Sequence, residues 1–212
     1  MNTTRKQREI EFRKKQIVKI AEKLYVEKGV ENVSMNDIAK ASEFSKTTLY
    51  KYFKSKEDIE IFVYRSIHLD KFEVLKDYLV KGKTGPEKIR YFAEGYLKFW
   101  KDNPEALKIQ LAWDYKGLER TNLSDEILYE LNQSYVNDTP ILNEMIETGI
   151  KDGDFREDLD VAETMETFYL LLRSILNQMF FINNDETFST MFVDTANSYT
   201  RFVEIFIKGL RP

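Results

Sequence analysis

The chain contains no cysteine and only one histidine, His68, among its 212 residues. Disulfides and thiolate metal sites are therefore excluded, and a single histidine is too few for a multi-histidine metal centre. Histidine-based triads are largely excluded as well, because His68 falls on a predicted long helix as an ordinary surface or core residue. We expect a protein that is not an enzyme and that has no cofactor and no metal, although carboxylate catalysis stays open.

The sequence also lacks an apolar leader and any uninterrupted apolar run near 20 residues. We therefore expect a cytoplasmic protein that does not enter a membrane. Gly82-Lys83-Thr84 matches the end of a phosphate-binding loop, but that motif requires a glycine five residues before Gly82, where this chain has Asp77. We interpret residues 81–85 as a linker.

Helical periodicity dominates what is present, and no segment shows sustained alternation of β-branched residues. The expected fold is all-α, with about nine helices. A three-helix bundle with a helix-turn-helix is predicted over residues 1–55, and a larger helical domain for ligand binding and dimerisation over residues 56–212. Pro140 lies inside a predicted helix and should kink it or split it in two.

Three serines mark helix starts between residues 34 and 59. Ser34 precedes Asp37 by three positions and Ser55 precedes Asp58 by three, which is the capping-box spacing. Ser45 is the predicted N-cap of the helix between them. Three helix starts in so few residues, with a tight turn between the first two helices, are typical of a helix-turn-helix.

The middle helix has the side chains that a DNA-reading helix needs. Lys46 and Thr47 occupy its first turn, where donors reach base edges, while the hydroxyls of Thr48, Tyr50 and Tyr52 suit phosphate oxygens. The alternative is a solvated hairpin whose lysines only keep the surface soluble. The predicted DNA-binding residues are Ser34, Ser45, Lys46, Thr47, Thr48, Tyr50, Lys51, Tyr52, Lys54 and Lys56.

Charge is distributed unevenly along the chain, whose net charge is −4. Residues 1–60 carry 14 Lys/Arg against 10 Asp/Glu, a net +4, which leaves −8 for the remainder. The basic end is therefore also the end that contains the predicted reading helix, which favours double-stranded DNA as a partner. We expect the basic segment from Arg5 to Lys15 to fray, and insertion into a minor groove is the alternative.

A family resemblance rests on the string IAKASEFSKTTLYKYFKSKEDI, which is similar to the DNA-binding segment of the TetR (tetracycline-repressor-like) regulators. It extends upstream through RKKQIVKIAEKLYVEKGVENVSMNDIA and covers about residues 13–60. The resemblance implies a dimeric transcriptional regulator, commonly a repressor, that binds a palindromic operator and is released by a small, largely apolar effector. Control by a protein partner in place of a small molecule is the alternative.

One position departs from that family's pattern. The turn position usually held by glycine is Glu43 here, and Ser42 precedes it where alanine is common. A left-handed backbone would cost a residue with a Cβ about 1–2 kcal/mol. We therefore expect a different type of turn.

Aromatic residues are frequent in the C-terminal helices. A cavity lined by rings suits an apolar ligand, and the charged residues Asp114 and Arg173 each interrupt an apolar stretch. Ordinary core packing for the rings, and a structural ion pair for the charges, are the alternatives. The predicted ligand pocket consists of Phe62, Tyr96, Phe99, Trp100, Trp113, Asp114, Phe168, Leu172 and Arg173.

The last two predicted helices carry apolar residues on more than one face, so each needs two packing partners. One is the protein's own core, and we expect the other to be the same helices of a second subunit in a homodimer. Burial of both faces within one chain is the alternative. The predicted dimer interface consists of Leu171, Ser174, Gln178, Phe181, Tyr199, Val203 and Phe206.

Overall fold

A computed structural model describes residues 4–115, 125–184 and 195–212, with the side chains of 114–128, 130–138 and 183–196 outside the description. The described residues form nine α-helices and one short 3-10 helix, without strands, which confirms the predicted all-α class. No helix within those ranges is long and apolar enough to span a membrane. The helices are α1 (Arg5–Lys28), α2 (Met35–Ala41), α3 (Lys46–Tyr52), α4 (Lys56–Leu79), α5 (Gly85–Asp102), α6 (Pro104–Tyr115), α7 (Asp125–Lys151), α8 (Val161–Asn184) and α9 (Thr195–Gly209).

The chain divides into two compact units. Unit 1 comprises Met1–Asp70 and Asn103–Tyr135, and unit 2 comprises Lys71–Asp102 and Val136–Pro212. Helices α4 and α7 therefore contribute residues to both units. These units are defined by packing, whereas the predicted boundary at residue 56 concerns function, and that boundary stays a prediction.

Unit 1 is built around the apolar stripe of α1. Ile17 and Ala21 on α1 are fully buried, as are Ile38 on α2, Leu49 on α3 and Ile59 on α4. Helix α1 packs on α2 and α6, and α2 packs on α3. The buried residues recur at helical spacing, so burial of one stripe per helix accounts for this small core.

The basic start of α1 is helical and not frayed, in contrast to the sequence-based expectation. Thr4 caps the helix: the Gln7 N–H donates to Thr4 Oγ1 at 3.3 Å, and the Thr4 N–H donates to Gln7 Oε1 at 2.8 Å. Arg13 pairs with Glu9 one turn earlier, at 3.0 Å. A capping box and an i,i+4 ion pair both favour the first turns of a helix.

The turn between α2 and α3 keeps the left-handed conformation, with Glu43 at φ 59°. The expectation of a different turn type was wrong. The Glu43 N–H donates to Lys40 O at 3.3 Å and the Phe44 N–H donates to Ala39 O at 3.0 Å, the bond pattern of a Schellman cap. Because this cap satisfies the last carbonyls of α2, it is retained although Glu43 lacks the freedom of glycine.

Helix α7 runs through Pro140 as one helix of 27 residues, so the predicted split does not occur. Proline removes one backbone donor from the helix, and the helix retains its other turns on both sides.

Unit 2 has an aromatic core formed by α5, α8 and α9, with α9 packed on α8 and α5. Phe168 lies at its centre, with ring centroids 4.8 Å from Phe206 and 6.1 Å from Phe92. The Arg90 guanidinium of α5 donates to both carboxylate oxygens of Glu204 on α9, at 2.6 and 2.9 Å. A bidentate pair of this kind orients the two helices at the edge of the core.

The strained turn leads to a stability prediction. Glu43→Gly should raise the free energy of unfolding by about 0.5–1 kcal/mol, because glycine adopts φ 59° without the Cβ clash. Urea unfolding at neutral pH measures this change. The matched control, Gln16→Gly on the exposed side of α1 in the same unit, should lower the free energy of unfolding by about 1 kcal/mol. Destabilisation by Glu43→Gly would show that the turn is not strained.

Candidate functional site

Helix α3 presents its polar face to solvent. Leu49 is 0% exposed, and this burial directs Lys46, Thr47, Tyr50 and Lys51 outward, with Tyr50 45% exposed. These are four of the predicted DNA-binding residues, and the structure brings them together on one open surface. Lys54, just after the helix, is also exposed.

Ser45 and Thr48 together form the start of α3. The Thr48 N–H donates to Ser45 Oγ at 3.1 Å, and the two hydroxyls share a hydrogen bond of 2.8 Å. Ser45 is thus the N-cap that its sequence position indicates, and Thr48 is half-buried beside it. Tyr52 is also half-buried, with its ring 6.1 Å from that of Phe44. These residues stabilise α3, while the exposed donors of the helix lie between them in the sequence.

Ser34 caps α2 in the same way. The Asp37 N–H donates to Ser34 Oγ at 3.2 Å, and the Ser34 N–H donates to Asp37 Oδ2 at 2.9 Å, which completes the predicted capping box. The hydrogen bonds from Ser34 lower the pKa of the Asp37 carboxyl below its ordinary value. Ser34 itself is exposed, so its backbone and hydroxyl lie at the surface of unit 1.

Lys56 is placed differently from the other predicted contacts. Its ammonium donates to Val30 O at 2.7 Å and lies 3.5 Å from Glu60 Oε1, with the side chain 19% exposed. At the start of α4, the Asp58 N–H donates to Ser55 Oγ at 3.1 Å, while the Asp58 carboxylate accepts from the Lys54 N–H at 2.7 Å. Because the ammonium of Lys56 is held inside unit 1, we leave this residue out of the contacts proposed below.

The exposed surface of α3 combines ammonium groups and hydroxyls within one turn-and-helix segment. Such donors form hydrogen bonds with base edges and phosphate oxygens, and a short helix fits the major groove of B-form DNA. The Glu43 side chain is exposed on the preceding turn and adds one negative charge there. The surface is chemically suited to duplex DNA.

Comparison with known proteins agrees with this geometry. Residues 17–59, which contain α2, α3 and the second half of α1, match the family model described as bacterial regulatory proteins, tetR family. The chain therefore contains the DNA-binding domain of the TetR regulators over these residues. It is a helix-turn-helix transcriptional regulator and not an enzyme. Regulators of this family bind DNA and small molecules and act as dimers.

Two relatives are similar to this chain over different lengths. The fatty acid metabolism regulator protein of Bacillus subtilis is 28% identical over 176 residues, which are 82% of this chain and 81% of that protein. An HTH-type transcriptional regulator of Staphylococcus aureus is 42% identical over 67 residues, which are 30% of this chain and 36% of its own length. The crystal structure of FadR from Bacillus subtilis in complex with stearoyl-CoA has a TM-score of 0.67 at 21% identity, covering 93% of this chain and 99% of that one.

The predicted ligand-pocket residues are distributed over both units. Phe62 and Trp113 belong to unit 1, whereas the other described members lie in unit 2. The side chain of Asp114 lies outside the described residues. The members in unit 2 are Tyr96, Phe99, Trp100, Phe168 and Leu172, all buried, and the half-buried Arg173.

Trp113 borders a small cavity within unit 1. Its indole stacks on Tyr64, with centroids 4.9 Å apart. The hydroxyl of Tyr25 is buried there without a hydrogen-bond partner among the described residues, and burial, followed by Glu60 and Glu57, raises its pKa. The cavity is lined by Tyr25, Val30, Glu60, Ile109, Ala112 and Trp113.

Sequence reasoning missed Lys71, which is buried in unit 2 at 2% exposure. It lies four residues after Ile67 and four before Leu75, so a lysine occupies the apolar stripe of α4. A lysine at a position that helical spacing predicts to be buried was the sign of it in the sequence. Its ammonium donates to the Tyr169 hydroxyl at 3.0 Å.

The predicted interface residues separate into two sets. Leu171, Ser174, Gln178 and Phe181 form an exposed stripe on α8, with Leu171 43% and Phe181 41% exposed. Tyr199 and Val203 on α9 are instead buried in unit 2, and the Tyr199 hydroxyl donates to Ala93 O at 2.8 Å. Phe206 packs on Phe168. These three α9 residues serve the core of their own protomer, so we leave them out of the proposed interface.

The N-cap of α2 leads to a prediction about the stability of unit 1. Ser34→Ala should lower the free energy of unfolding by about 1 kcal/mol at neutral pH, because it removes the acceptor for the Asp37 N–H. The pKa of Asp37 should then rise toward its ordinary value, as NMR titration of its carboxyl would show.

The same pair predicts a pH dependence. A lowered folded-state pKa stabilises the protein above the ordinary pKa of aspartate, and this contribution is lost as pH falls through the lowered value. The difference between wild type and Ser34→Ala in urea unfolding should therefore shrink on acidification. A difference that stays constant with pH would contradict the role of the Asp37 carboxylate.

Proposed function

We propose that the chain is a homodimeric repressor that binds a palindromic operator through α3 and is released by a small, largely apolar effector. The single observation that carries this proposal is the exposed polar face of α3, held outward by the buried Leu49. The two copies of α3 in a dimer would read two half-sites in opposite orientation, which gives the operator its symmetry.

Residues of α3 have distinct roles in this proposal. Lys46 and Thr47, exposed in the first turn, contact base edges in the major groove. Tyr50, Lys51 and Lys54 contact phosphates on either side, because their donors lie on the exposed side of the helix and just beyond it. Ser34, Ser45, Thr48 and Tyr52 hold the local structure and offer hydroxyls or backbone groups at its edge.

The exposed stripe of α8 supports the dimer. Leu171 and Phe181 are large apolar side chains left open by the protomer, and Leu170 beside them is 52% exposed. An apolar helical stripe that is solvated in one protomer is stabilised by a second copy about a two-fold axis. The smaller Ser174 between them permits a close approach of two helices.

The effector is proposed to be an acyl compound. The Bacillus subtilis relative is a fatty acid metabolism regulator by name, and a structure of FadR from that organism contains stearoyl-CoA. Unit 2 of this chain supplies a suitable environment, because Phe92, Phe168 and Leu172 give it an apolar interior on α5 and α8. Aromatic and aliphatic side chains of this kind stabilise an alkyl chain by burying its surface.

Selection of bound sequences from a random duplex library tests the DNA-binding proposal. Wild type should enrich a palindrome, and Lys46→Ala or Thr47→Ala should relax the base preference at one position per half-site, by about 1–3 kcal/mol of discrimination. Lys51→Ala should weaken binding to all sequences and lower the dependence of log affinity on log salt by about one unit.

Lys56→Ala is the matched control for these lysines, since its ammonium is held by Val30 and Glu60. It should leave both base preference and salt dependence close to wild type once its folding is verified. Equal affinity of wild type for random and selected duplexes would refute sequence-selective binding. Selective binding of a palindrome that a protein partner, and no small molecule, releases would favour control by that partner.

Sedimentation equilibrium tests the proposed interface. Leu171→Glu and Phe181→Glu should each weaken the dimer by at least about 100-fold, because they bury unpaired carboxylates at an apolar contact. Glu166→Gln, exposed on another side of α8, should leave the dimer unchanged. A monomeric wild type would contradict the dimer, and a dimer unaffected by both substitutions would place the interface elsewhere.

A further inference from the structure

Lys71 is a positive charge enclosed by aromatic rings. Its ammonium lies 5.6 Å from the ring centroids of Tyr96 and Tyr169 and 5.7 Å from that of Trp100. Tyr169 also accepts its one hydrogen bond to a side chain, at 3.0 Å. Lys71 is supplied by α4, Tyr96 and Trp100 by α5, and Tyr169 by α8, so three helices of unit 2 form this group, which we call the Lys71 cluster.

No carboxylate of the described residues pairs with this ammonium. The ring faces and one hydroxyl offset part of the free-energy cost of desolvating the ammonium, but they carry no negative charge. A buried lysine is seldom found without a paired acid, because an uncompensated charge in the interior destabilises the fold. The side chains of the Lys71 cluster therefore compensate the buried ammonium only in part.

Trp100 provides a second and independent indication of a ligand. Its Nε1 is buried, at 2% exposure of the residue, and has no partner of hydrogen-bond geometry within the described ranges. Burial, followed by Tyr169, raises the pKa of Tyr96 well above its ordinary value, and the nearby Trp100 N–H lowers that pKa in part. The cluster thus offers two donors, an ammonium and an indole N–H. None of its four side chains is a negatively charged acceptor.

The surroundings of the Lys71 cluster are apolar. Phe92 stacks with Tyr96 at a centroid distance of 6.2 Å, and Phe99 meets Trp100 edge-on at 4.9 Å. A ligand whose anionic end reaches Lys71 therefore has its remaining atoms among hydrocarbon side chains. This arrangement fits an anionic head on an alkyl chain better than a small inorganic anion or a sugar phosphate.

We propose that the Lys71 cluster binds the free carboxylate of a long-chain carboxylic acid, with the Lys71 ammonium and the Trp100 N–H as its donors. This inference rests on the proposed function, in which an acyl compound is the effector, and it names the acid itself, not its thioester, as the form that the cluster recognises. A thioester has no negative charge at its carbonyl, so it gains less from the ammonium. The cluster is closed in this structure, so entry of the head group requires neighbouring side chains to move.

Calorimetric titration of the full-length protein with laurate, dodecan-1-ol and lauroyl-CoA tests the inference. Wild type should bind laurate more tightly than the alcohol of equal chain length. Lys71→Met retains the length of the side chain and removes its charge, and it should weaken laurate binding by about 10- to 100-fold while leaving dodecan-1-ol binding unchanged. Lys76→Met, on the same helix with its ammonium at the surface beside Glu73, is the matched control and should bind laurate as wild type does.

Trp100→Phe gives a second measurement that does not depend on the folding of the Lys71 variant. It removes one donor and should weaken laurate binding by about 10-fold relative to dodecan-1-ol. Equal losses for the acid and the alcohol in both variants, or unchanged laurate binding, would overturn the inference. So would a wild type that binds the alcohol as tightly as the acid.

Release of a selected operator duplex, followed by fluorescence anisotropy, separates this inference from the proposed function. If lauroyl-CoA releases wild type from DNA while laurate neither binds nor releases it, the inference about the carboxylate site is refuted. The proposal that the effector is an acyl compound would still hold. If wild type binds no selected duplex, the proposed function fails, while the calorimetric comparison of acid and alcohol still decides the site.

Discussion

The complete burial of Leu49 is the constraint on which the proposed DNA-binding surface depends. Helix α3 has only seven residues, so a single apolar anchor and one cap determine its rotation and its start. Because Leu49 lies in the core of unit 1, the side chains of Lys46, Thr47 and Tyr50 lie on the solvent-exposed side of the helix. Ser45 then ends the preceding turn by accepting the Thr48 N–H, which fixes where the exposed face begins. The reading surface is thus a consequence of packing beneath it.

The turn before α3 shows that local preference yields to the geometry of a helix end. Glu43 holds a left-handed conformation that residues with a Cβ disfavour, because two backbone hydrogen bonds close the end of α2 only in that conformation. Phe44 immediately follows and packs against Tyr52, with Arg13 5.8 Å above its ring. The turn and its flanking contacts are satisfied together, so the strain at one residue is offset by the packing of its neighbours.

Lys71 illustrates the opposite relation, because the described residues around this buried ammonium compensate its desolvation only in part. Its cation is surrounded by Tyr96, Trp100 and Tyr169, and the Trp100 N–H beside it is also unsatisfied. Two donors that lack a negatively charged acceptor are costly for folding when they lie in one aromatic cluster. Binding of the proposed carboxylate would compensate this cost and so would raise the stability of unit 2.

Capping and periodicity relate residues only three or four positions apart, so they predict the all-α class, the helix starts at Ser34 and Ser45, and the polar residues of α3. Long-range contacts come from tertiary packing. It placed the Lys56 ammonium on Val30, 26 residues earlier, turned Tyr199 toward Ala93 of another helix, and divided the predicted pocket between two units. Such contacts depend on how distant helices pack around a shared core, and a pattern within one helix does not contain that information.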